Sequence, residues 1–197
     1  MTAKRVVKTF LTLIVALGIC LLAGYIGGYP ALSKMPFGII IDLPVENYLG
    51  GYPGPLAGGT PPMPEWYAGL IKPIFSPPSW LFSPVWMASF VLLGLVLFLI
   101  LRSGINQHEV TLGLILFCLQ LLFMLVWAFT FFGVHSLFLA TLCMIALWAT
   151  LLCAIIQVFR FSVYGGMLLI PYFLWVCYLA YLNYGFMVLN NYVFRIF

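Results

Sequence analysis

The amino-acid sequence predicts an all-α integral membrane protein whose single domain crosses the bilayer as a bundle of five transmembrane helices. Hydrophobic residues make up 65% of the 197 residues and charged residues only 6%, with a mean hydropathy of +1.18. A soluble domain carries roughly 25% charged residues. Five apolar runs can each cross a hydrocarbon layer of about 30 Å at roughly 1.5 Å per residue. The predicted helices span residues 6–26, 80–101, 110–132, 137–159 and 167–189.

The first apolar run follows a basic start formed by Lys4, Arg5 and Lys8. Such a start opens both secretory signal peptides and membrane anchors. The run is long for a signal peptide, and no clear cleavage site with small residues follows it. We therefore expect a membrane anchor that becomes the first helix of the bundle.

Between the first two helices, residues 27–79 are predicted to form a long extramembrane loop. The segment Gly24–Pro64 contains nine glycines and eight prolines among 41 residues, too many helix breakers for a transmembrane span. The short apolar stretch Phe37–Ile41 cannot cross the bilayer. Two interpretations stay open: a flexible loop, or a lid whose apolar stretch covers the end of the bundle.

The remaining helices carry local signals for their ends. Ser83 followed by Pro84 is typical of an N-cap and first helical residue, so the second helix is expected to begin there. The turn at residues 133–136 is so short that the third and fourth helices must be antiparallel neighbours. Pro171 lies near the start of the fifth helix, where a kink is tolerable because neighbouring helices can satisfy the freed carbonyl.

The distribution of basic residues gives a weak preference for orientation. With five crossings, one side of the membrane receives five Lys and Arg residues and the other receives three, which favours a cytoplasmic N-terminus. The sequence does not distinguish a bacterial membrane from an organellar one. The first group is Lys4, Arg5, Lys8, Arg102 and Arg160, and the second is Lys34, Lys72 and Arg195.

Charged residues exclude two classes of function. The four acidic residues all lie outside the apolar runs, so no carboxylate pair is available inside the membrane for acid and base catalysis. The basic residues are dispersed rather than clustered, which argues against a nucleic-acid partner. The acidic residues are Asp42, Glu46, Glu65 and Glu109.

Potential metal ligands show no metal-binding pattern. The five cysteines lie within apolar segments without paired spacing, so we interpret them as small apolar helix residues and predict no metal site. His108 and His135 lie at helix ends, where a solvated histidine is more common than a haem ligand. The cysteines are Cys20, Cys118, Cys143, Cys153 and Cys177.

A segment rich in tryptophan and proline precedes the second helix and reads WYAGLIKPIFSPPSWLFSPVW over residues 66–86. Prolines favour an extended, rigid path, whereas Trp, Tyr and Lys favour the level of the lipid headgroups. By composition alone, this segment is an ordinary aromatic belt.

The spacing within this segment resembles the tryptophan-rich sensory protein family, also called the translocator protein or peripheral benzodiazepine receptor (TspO/MBR) family. Its members carry WYxxLxKPxxxPPxWxFxPVW before the second helix. All fixed positions of that pattern are met, by Trp66, Tyr67, Leu70, Lys72, Pro73, Pro77, Pro78, Trp80, Phe82, Pro84, Val85 and Trp86.

The resemblance continues through the other helices to about Asn190. Matching residues are Gln120, Leu121, Trp127, Phe131, Phe132 and Gly133 in the third helix, and Pro171, Tyr172, Trp175, Leu182, Asn183 and Asn190 in the fifth.

Several residues depart from the family pattern. Met124 stands where the family usually has asparagine, Phe75 replaces a frequent tryptophan, and Cys143 stands where an acidic residue is often found. Ala128 and Phe129 replace common small-polar and proline choices.

Helical spacing brings candidate ligand-binding residues together. Gln120, Met124 and Trp127 recur at i, i+4 and i+7 and therefore share one face of the third helix. Polar residues at membrane depth are costly against lipid, so Gln120 and Asn183 should face the bundle interior. A cavity walled by Trp86, Trp127 and Trp175 would suit a flat apolar molecule. The alternative is that these rings only pack helix against helix.

The resemblance implies a ligand as well as a fold. Relatives bind porphyrins, sterols and synthetic aromatic ligands of the benzodiazepine type in the bundle, beneath the first loop. A sterol-recognition consensus is met loosely by Leu189, Tyr192 and Arg195, which is a weak pattern. Protoporphyrin IX or haem is expected as a ligand rather than as a required cofactor. The predicted ligand-binding residues are Tyr67, Trp86, Gln120, Met124, Trp127, Trp175 and Asn183.

Three functions are compatible with this sequence. The leading hypothesis is a receptor or transporter-like protein for flat hydrophobic ligands. The alternatives are an enzyme that degrades porphyrin with light and oxygen, and a structural membrane scaffold. The sequence supplies no nucleophile with an oriented base and no phosphate loop, which favours a protein that is not an enzyme. The expected partners are the lipid bilayer, a porphyrin or sterol, and a second copy in a homodimer.

Overall fold

The computed structural model describes residues 3–32, 67, 69–77, 79–104 and 107–190. This part of the chain contains long helices and no strands, and five of its helices are long and apolar enough to cross a membrane. The predicted fold class is therefore confirmed. The helices are α1 (Ala3–Leu32), α2 (Ser79–Ser103), α3 (His108–Ala128), α4 (Leu137–Phe161) and α5 (Val163–Asn190).

Helix α1 lies at the edge of the bundle and packs mainly against α2. Two glycines allow the close approach: Gly94 lies against Leu17, and Gly24 lies against the ring of Phe90. Small residues at such contacts let two membrane helices come near enough for extensive van der Waals contact. Helix α1 continues to Leu32, so its last turns include the first residues of the Gly/Pro-rich segment.

Helix α2 begins earlier than its capping signals suggest. It starts at Ser79, and Pro84 lies inside it. The prediction that Ser83 caps this helix and that Pro84 is its first residue is therefore wrong. The physical reason is that a proline near a helix end removes one intrahelical hydrogen bond, which the helix can lose without breaking. Pro171 lies inside α5 in the same way.

A non-helical segment of residues 69–77, here called the strap, leads into α2. Its turn runs from Pro73 to Ser76, whose backbone N–H donates to the carbonyl of Pro73 at 3.2 Å. Phe75 has a φ of 69° at the third position of this turn, a conformation usually left to glycine. The turn is therefore strained, and contacts with the rest of the protein must hold it in place.

Helices α3 and α4 are neighbours, as their short connection predicts. The end of α3 changes into a π-helical turn at Phe129–Gly133. The side chain of Ser136 then caps α4 by accepting a hydrogen bond from the backbone N–H of Leu139. At the opposite end of the pair, Gln157 Nε2 donates to the carbonyl of Glu109 at 3.0 Å. Both ends of the pair are thus tied by polar contacts.

The contact between α1 and α2 predicts that substitution of Gly94 destabilises the protein more than substitution of Gly18. A Cβ atom on Gly94 would lie 2.7 Å from Leu17 Cδ2 and 3.0 Å from Leu17 Cα, whereas a Cβ on Gly18 would meet nothing within 4 Å. Gly94→Val should therefore lower the free energy of unfolding by about 1–3 kcal/mol through overpacking, and Gly18→Val should change it little. Thermal unfolding in detergent measures both. Equal effects would contradict the close helix contact.

Candidate functional site

Five aromatic rings from α2, α3, α5 and the chain before the strap meet inside the bundle. Trp86 and Trp127 have ring centroids 6.0 Å apart, and Trp127 lies 5.7 Å from Phe131. Phe186 lies 5.9 Å from Phe131 and 5.4 Å from Tyr67. All five side chains are buried. This group, called the aromatic cluster below, brings together three of the predicted site residues.

Asn183 holds the indole of Trp127 in one orientation. Trp127 Nε1 donates to Asn183 Oδ1 at 3.1 Å. Asn183 Nδ2 donates to Thr141 Oγ1 at 2.6 Å, and Thr141 Oγ1 donates to the carbonyl of Leu137 at 2.8 Å. Each end of the Asn183 amide thus has a partner within the protein. In this conformation Asn183 acts on the aromatic cluster by positioning Trp127.

A second polar group lies deeper along α3, where Gln120 is fully buried. The Tyr172 hydroxyl lies 3.3 Å from Gln120 Oε1 and 2.8 Å from Met124 Sδ, and its single hydrogen must serve both acceptors. Gln120 Nε2 is buried and has no hydrogen-bond partner among the described residues. Such a donor costs about 1–3 kcal/mol when left unpaired. The amide nitrogen of Gln120 therefore offers a hydrogen bond within an apolar interior.

Trp175 belongs to a second aromatic group. Its ring lies 6.0 Å from Phe82, edge to face, and 5.5 Å from Tyr178. Its Nε1 atom is buried, and within the described part of the chain it has no hydrogen-bond partner. Trp175 thus joins α2 to the strap side of α5 and presents an unused N–H there.

Tyr67 covers the end of the aromatic cluster nearest the strap. Lys72 Nζ lies 5.6 Å from the centroid of its ring, within the range of a cation–π contact. Burial, together with the neighbouring Tyr178, raises the pKa of Tyr67 to about 12. The phenol therefore stays uncharged at physiological pH, and the aromatic cluster gains no negative charge from it.

The π-helical turn places Phe132 beside the aromatic cluster, where α-helical periodicity does not predict it. In an α-helix, Trp127 shares a face with Phe131 at i+4. The wider turn also brings Phe132 to 6.1 Å from Trp127 and to 4.7 Å from Phe131. Single π-helical turns are frequent at functional sites. The sequence FTFFG gives no recognisable signal for this turn.

Other predicted residues are placed as follows. Pro73 packs so closely on Gly185 that a Cβ there would lie 2.6 Å from Pro73 Cγ. Pro77 ends the strap half-buried, and Trp80 lies in the first turn of α2. No group of three His, Cys, Asp or Glu residues within the described ranges could hold a metal ion. The predictions for Phe37–Ile41, Trp66, Pro78, Tyr192 and Arg195 fall outside the described residues.

Trp148 on α4 lies apart from these groups. Its side chain is 40% exposed, and its ring packs 5.7 Å from Phe173. Its Nε1 atom donates to Cys177 Sγ at 3.2 Å. Trp148 therefore provides a control tryptophan with a satisfied N–H and a partly exposed ring.

Known proteins are similar in sequence to most of this chain. The sequence profile of the TspO/MBR family matches residues 46–189. The Tryptophan-rich protein TspO of Chlorobaculum tepidum is 31% identical over 184 residues, covering 93% of this chain and 98% of that protein. The Tryptophan-rich protein TspO of Archaeoglobus fulgidus is 33% identical over 126 residues, covering 64% and 80%. The Translocator protein of Homo sapiens is 28% identical over 121 residues, covering 61% and 72%.

The hydrogen bonds around Asn183 predict energetic coupling with Thr141. Asn183→Leu should lower the free energy of unfolding by about 0.5–2 kcal/mol, because Trp127 Nε1 is left buried without its acceptor. Thr141→Val removes the next bond of the same network. The loss in the double variant should therefore be smaller than the sum of the two single losses. Thermal unfolding in detergent supplies all three values, and strict additivity would contradict a shared network.

Proposed function

We propose that this chain, which belongs to the TspO/MBR family, binds flat hydrophobic ligands in the aromatic cluster and serves in their sensing or transport. Its family and its apolar helices make it an integral, multi-pass membrane protein. The resemblance drawn from the tryptophan-rich motif is confirmed by the family match. The ligand and the use made of it are the proposal.

The aromatic cluster is the observation that carries this proposal. Its rings are contributed by three helices and by Tyr67, and their tilted faces suit a flat aromatic or polycyclic molecule. Because the Asn183 amide holds Trp127, that ring keeps one orientation before any ligand arrives. Preorganised rings bind with a smaller loss of side-chain entropy.

Two buried donors favour a ligand with hydrogen-bond acceptors. Gln120 Nε2 and Trp175 Nε1 have no partner among the residues that the structure describes. A ligand carbonyl, carboxyl or ring nitrogen near either atom would offset the cost of an unpaired donor. Porphyrins such as protoporphyrin IX or haem, sterols and benzodiazepine-type aromatics all combine a large apolar surface with a few acceptors. These are the ligand classes that we propose.

The names of relatives favour sensing or translocation. One relative is the Tryptophan-rich sensory protein of Cereibacter sphaeroides, and others are Translocator proteins. We extend those roles to this chain ahead of two alternatives. The first alternative is degradation of porphyrin with light and oxygen, in which the tryptophans would take part in radical chemistry. The second is a structural scaffold whose interior is empty or filled with lipid.

One assay with protoporphyrin IX distinguishes between the three proposed functions. The purified protein is mixed with protoporphyrin IX in the dark and in light, and the Soret band is followed. A shifted band that persists in light supports binding for sensing or transport. A band that bleaches faster than that of free pigment supports degradation, and an unshifted band supports the scaffold.

Replacement of Trp127 should weaken ligand binding more than replacement of Trp148. Loss of ring-specific contact costs roughly 0.5–1.5 kcal/mol, so Trp127→Leu should lower the affinity for protoporphyrin IX by about two- to twelve-fold. Trp127→Phe keeps a ring and should retain more of the affinity. Quenching of tryptophan fluorescence in detergent measures the affinity of each variant.

Trp148→Leu is the matched control for this measurement. It removes one indole from α4 without touching the aromatic cluster. The folded fraction of each variant is checked by thermal unfolding, since Trp127 also stabilises the bundle through Asn183. If equally folded Trp148→Leu and Trp127→Leu lose the same affinity, the ligand does not bind at the aromatic cluster.

A further inference from the structure

The strap does not simply cross the end of the bundle but runs along α5 towards the middle of that helix. Backbone atoms of the strap form hydrogen bonds with side chains of α5, and one strap residue packs closely on a glycine of that helix. The contacts move steadily from the end of α5 towards its N-terminus. Ile71 is hydrogen-bonded to Asn190 at the end of the helix, and Pro73 packs on Gly185. Further along, Ile74 is hydrogen-bonded to Tyr181, and Phe75 to Tyr178.

The length of α5 places the deepest of these contacts within the apolar layer. Its 28 residues extend about 42 Å, about 12 Å more than a hydrocarbon layer of about 30 Å. Along the helix axis, Tyr181 lies about 14 Å and Tyr178 about 18 Å from Asn190. Even if all of the excess length projects beyond the membrane at Asn190, both tyrosines lie inside the apolar layer.

Three consecutive carbonyls of the strap, at residues 73–75, accept hydrogen bonds from within the protein. The hydroxyl of Tyr181 donates to the carbonyl of Ile74 at 2.9 Å, and that of Tyr178 donates to the carbonyl of Phe75 at 2.8 Å. The carbonyl of Pro73 accepts from both N and Oγ of Ser76. Proline at positions 73 and 77 removes backbone donors that would need partners. Each backbone group paired in this way lowers the cost of placing the strap in an environment without water.

The side chains at the turn are apolar and face away from the protein. Ile74 is 77% exposed and Phe75 is 81% exposed. They lie beside the outward face of α5, where Leu174 is 63% exposed. Because α5 spans the membrane, this face meets lipid, and the apolar surface of the turn continues it. Lys72, one residue before the turn begins, is exposed and suits the headgroup level.

From this geometry we infer that the strap is a re-entrant segment, with Ile74 and Phe75 inserted among lipid acyl chains beside α5. Its partner is the hydrocarbon layer of the bilayer itself. The segment enters the membrane past Lys72, reverses at the strained turn and returns to start α2. The tyrosine hydroxyls of α5 stabilise its carbonyls at that depth.

The test replaces Phe75 with the photoreactive residue p-benzoylphenylalanine in the full chain, reconstituted in dioleoylphosphatidylcholine vesicles. After irradiation, mass spectrometry identifies what has been bonded to the probe. We expect adducts with the lipid acyl chains, at a yield close to that of the same probe at Leu174. A probe at Gln107, which is exposed in the connection between α2 and α3, should give far fewer.

Two results would overturn the re-entrant strap. A cross-link from Phe75 to another part of this chain would mean that protein covers the turn. A lipid yield at Phe75 as low as that at Gln107 would mean that the turn lies in water. If the probe at Phe75 prevents folding, the probe is placed at Ile74 and judged by the same two controls.

Discussion

Within the hydrocarbon layer, a polar group that finds no partner in the protein costs several kcal/mol, and this constraint governs the structure described here. It explains why polar side chains of the bundle bond to neighbouring backbone or to one another. Thr141 and Thr150 donate to carbonyls one turn earlier in their own helix. Ser89 does the same in α2. Among the described residues, Gln120 Nε2 and Trp175 Nε1 are buried donors without such a partner.

The same constraint distinguishes two polar regions of the interior, one around Trp127 whose groups are paired and one around Gln120 with an unpaired donor among the described residues. Around Trp127, the indole N–H donates to the Asn183 amide, which Thr141 holds at its other end, so the orientation of the ring is fixed. Around Gln120, the Tyr172 hydroxyl reaches the amide oxygen, whereas the amide nitrogen has no partner among the described residues.

Sequence periodicity predicted the helices and much of the interior. Apolar length located the spans, and the cost of polar residues against lipid placed Gln120 and Asn183 inside, where both are found. Helical spacing from Gln120 also placed Trp127 on the interior face of α3. Other features depend on contacts distant in sequence. The start of α2 at Ser79 could not be read from its capping residues, because it depends on how the preceding strap reaches the bundle.

The sequence pattern also could not predict the position of the strap or the grouping of the tryptophans. The motif residues could be recognised, but their contacts with α5 join positions more than 100 residues apart. Trp175 packs with Phe82 and Tyr178 rather than within the aromatic cluster. Spacing within a helix does not predict this choice of neighbours. Helical faces are a local property, whereas the choice of neighbour depends on how helices tilt and cross.

The π-helical turn at Phe129–Gly133 has a consequence for how this chain compares with its relatives. Such a turn holds one more residue than an α-helical turn of the same rise, so it works as a one-residue insertion accommodated within a helix. A relative with an unbroken α3 would align with a gap there, although no loop changes length. An alignment without that gap would pair each following residue of this helix end with a counterpart rotated by about 100°. Equivalent letters within Phe129–Gly133 therefore mean equivalent directions only when the gap is placed at this turn.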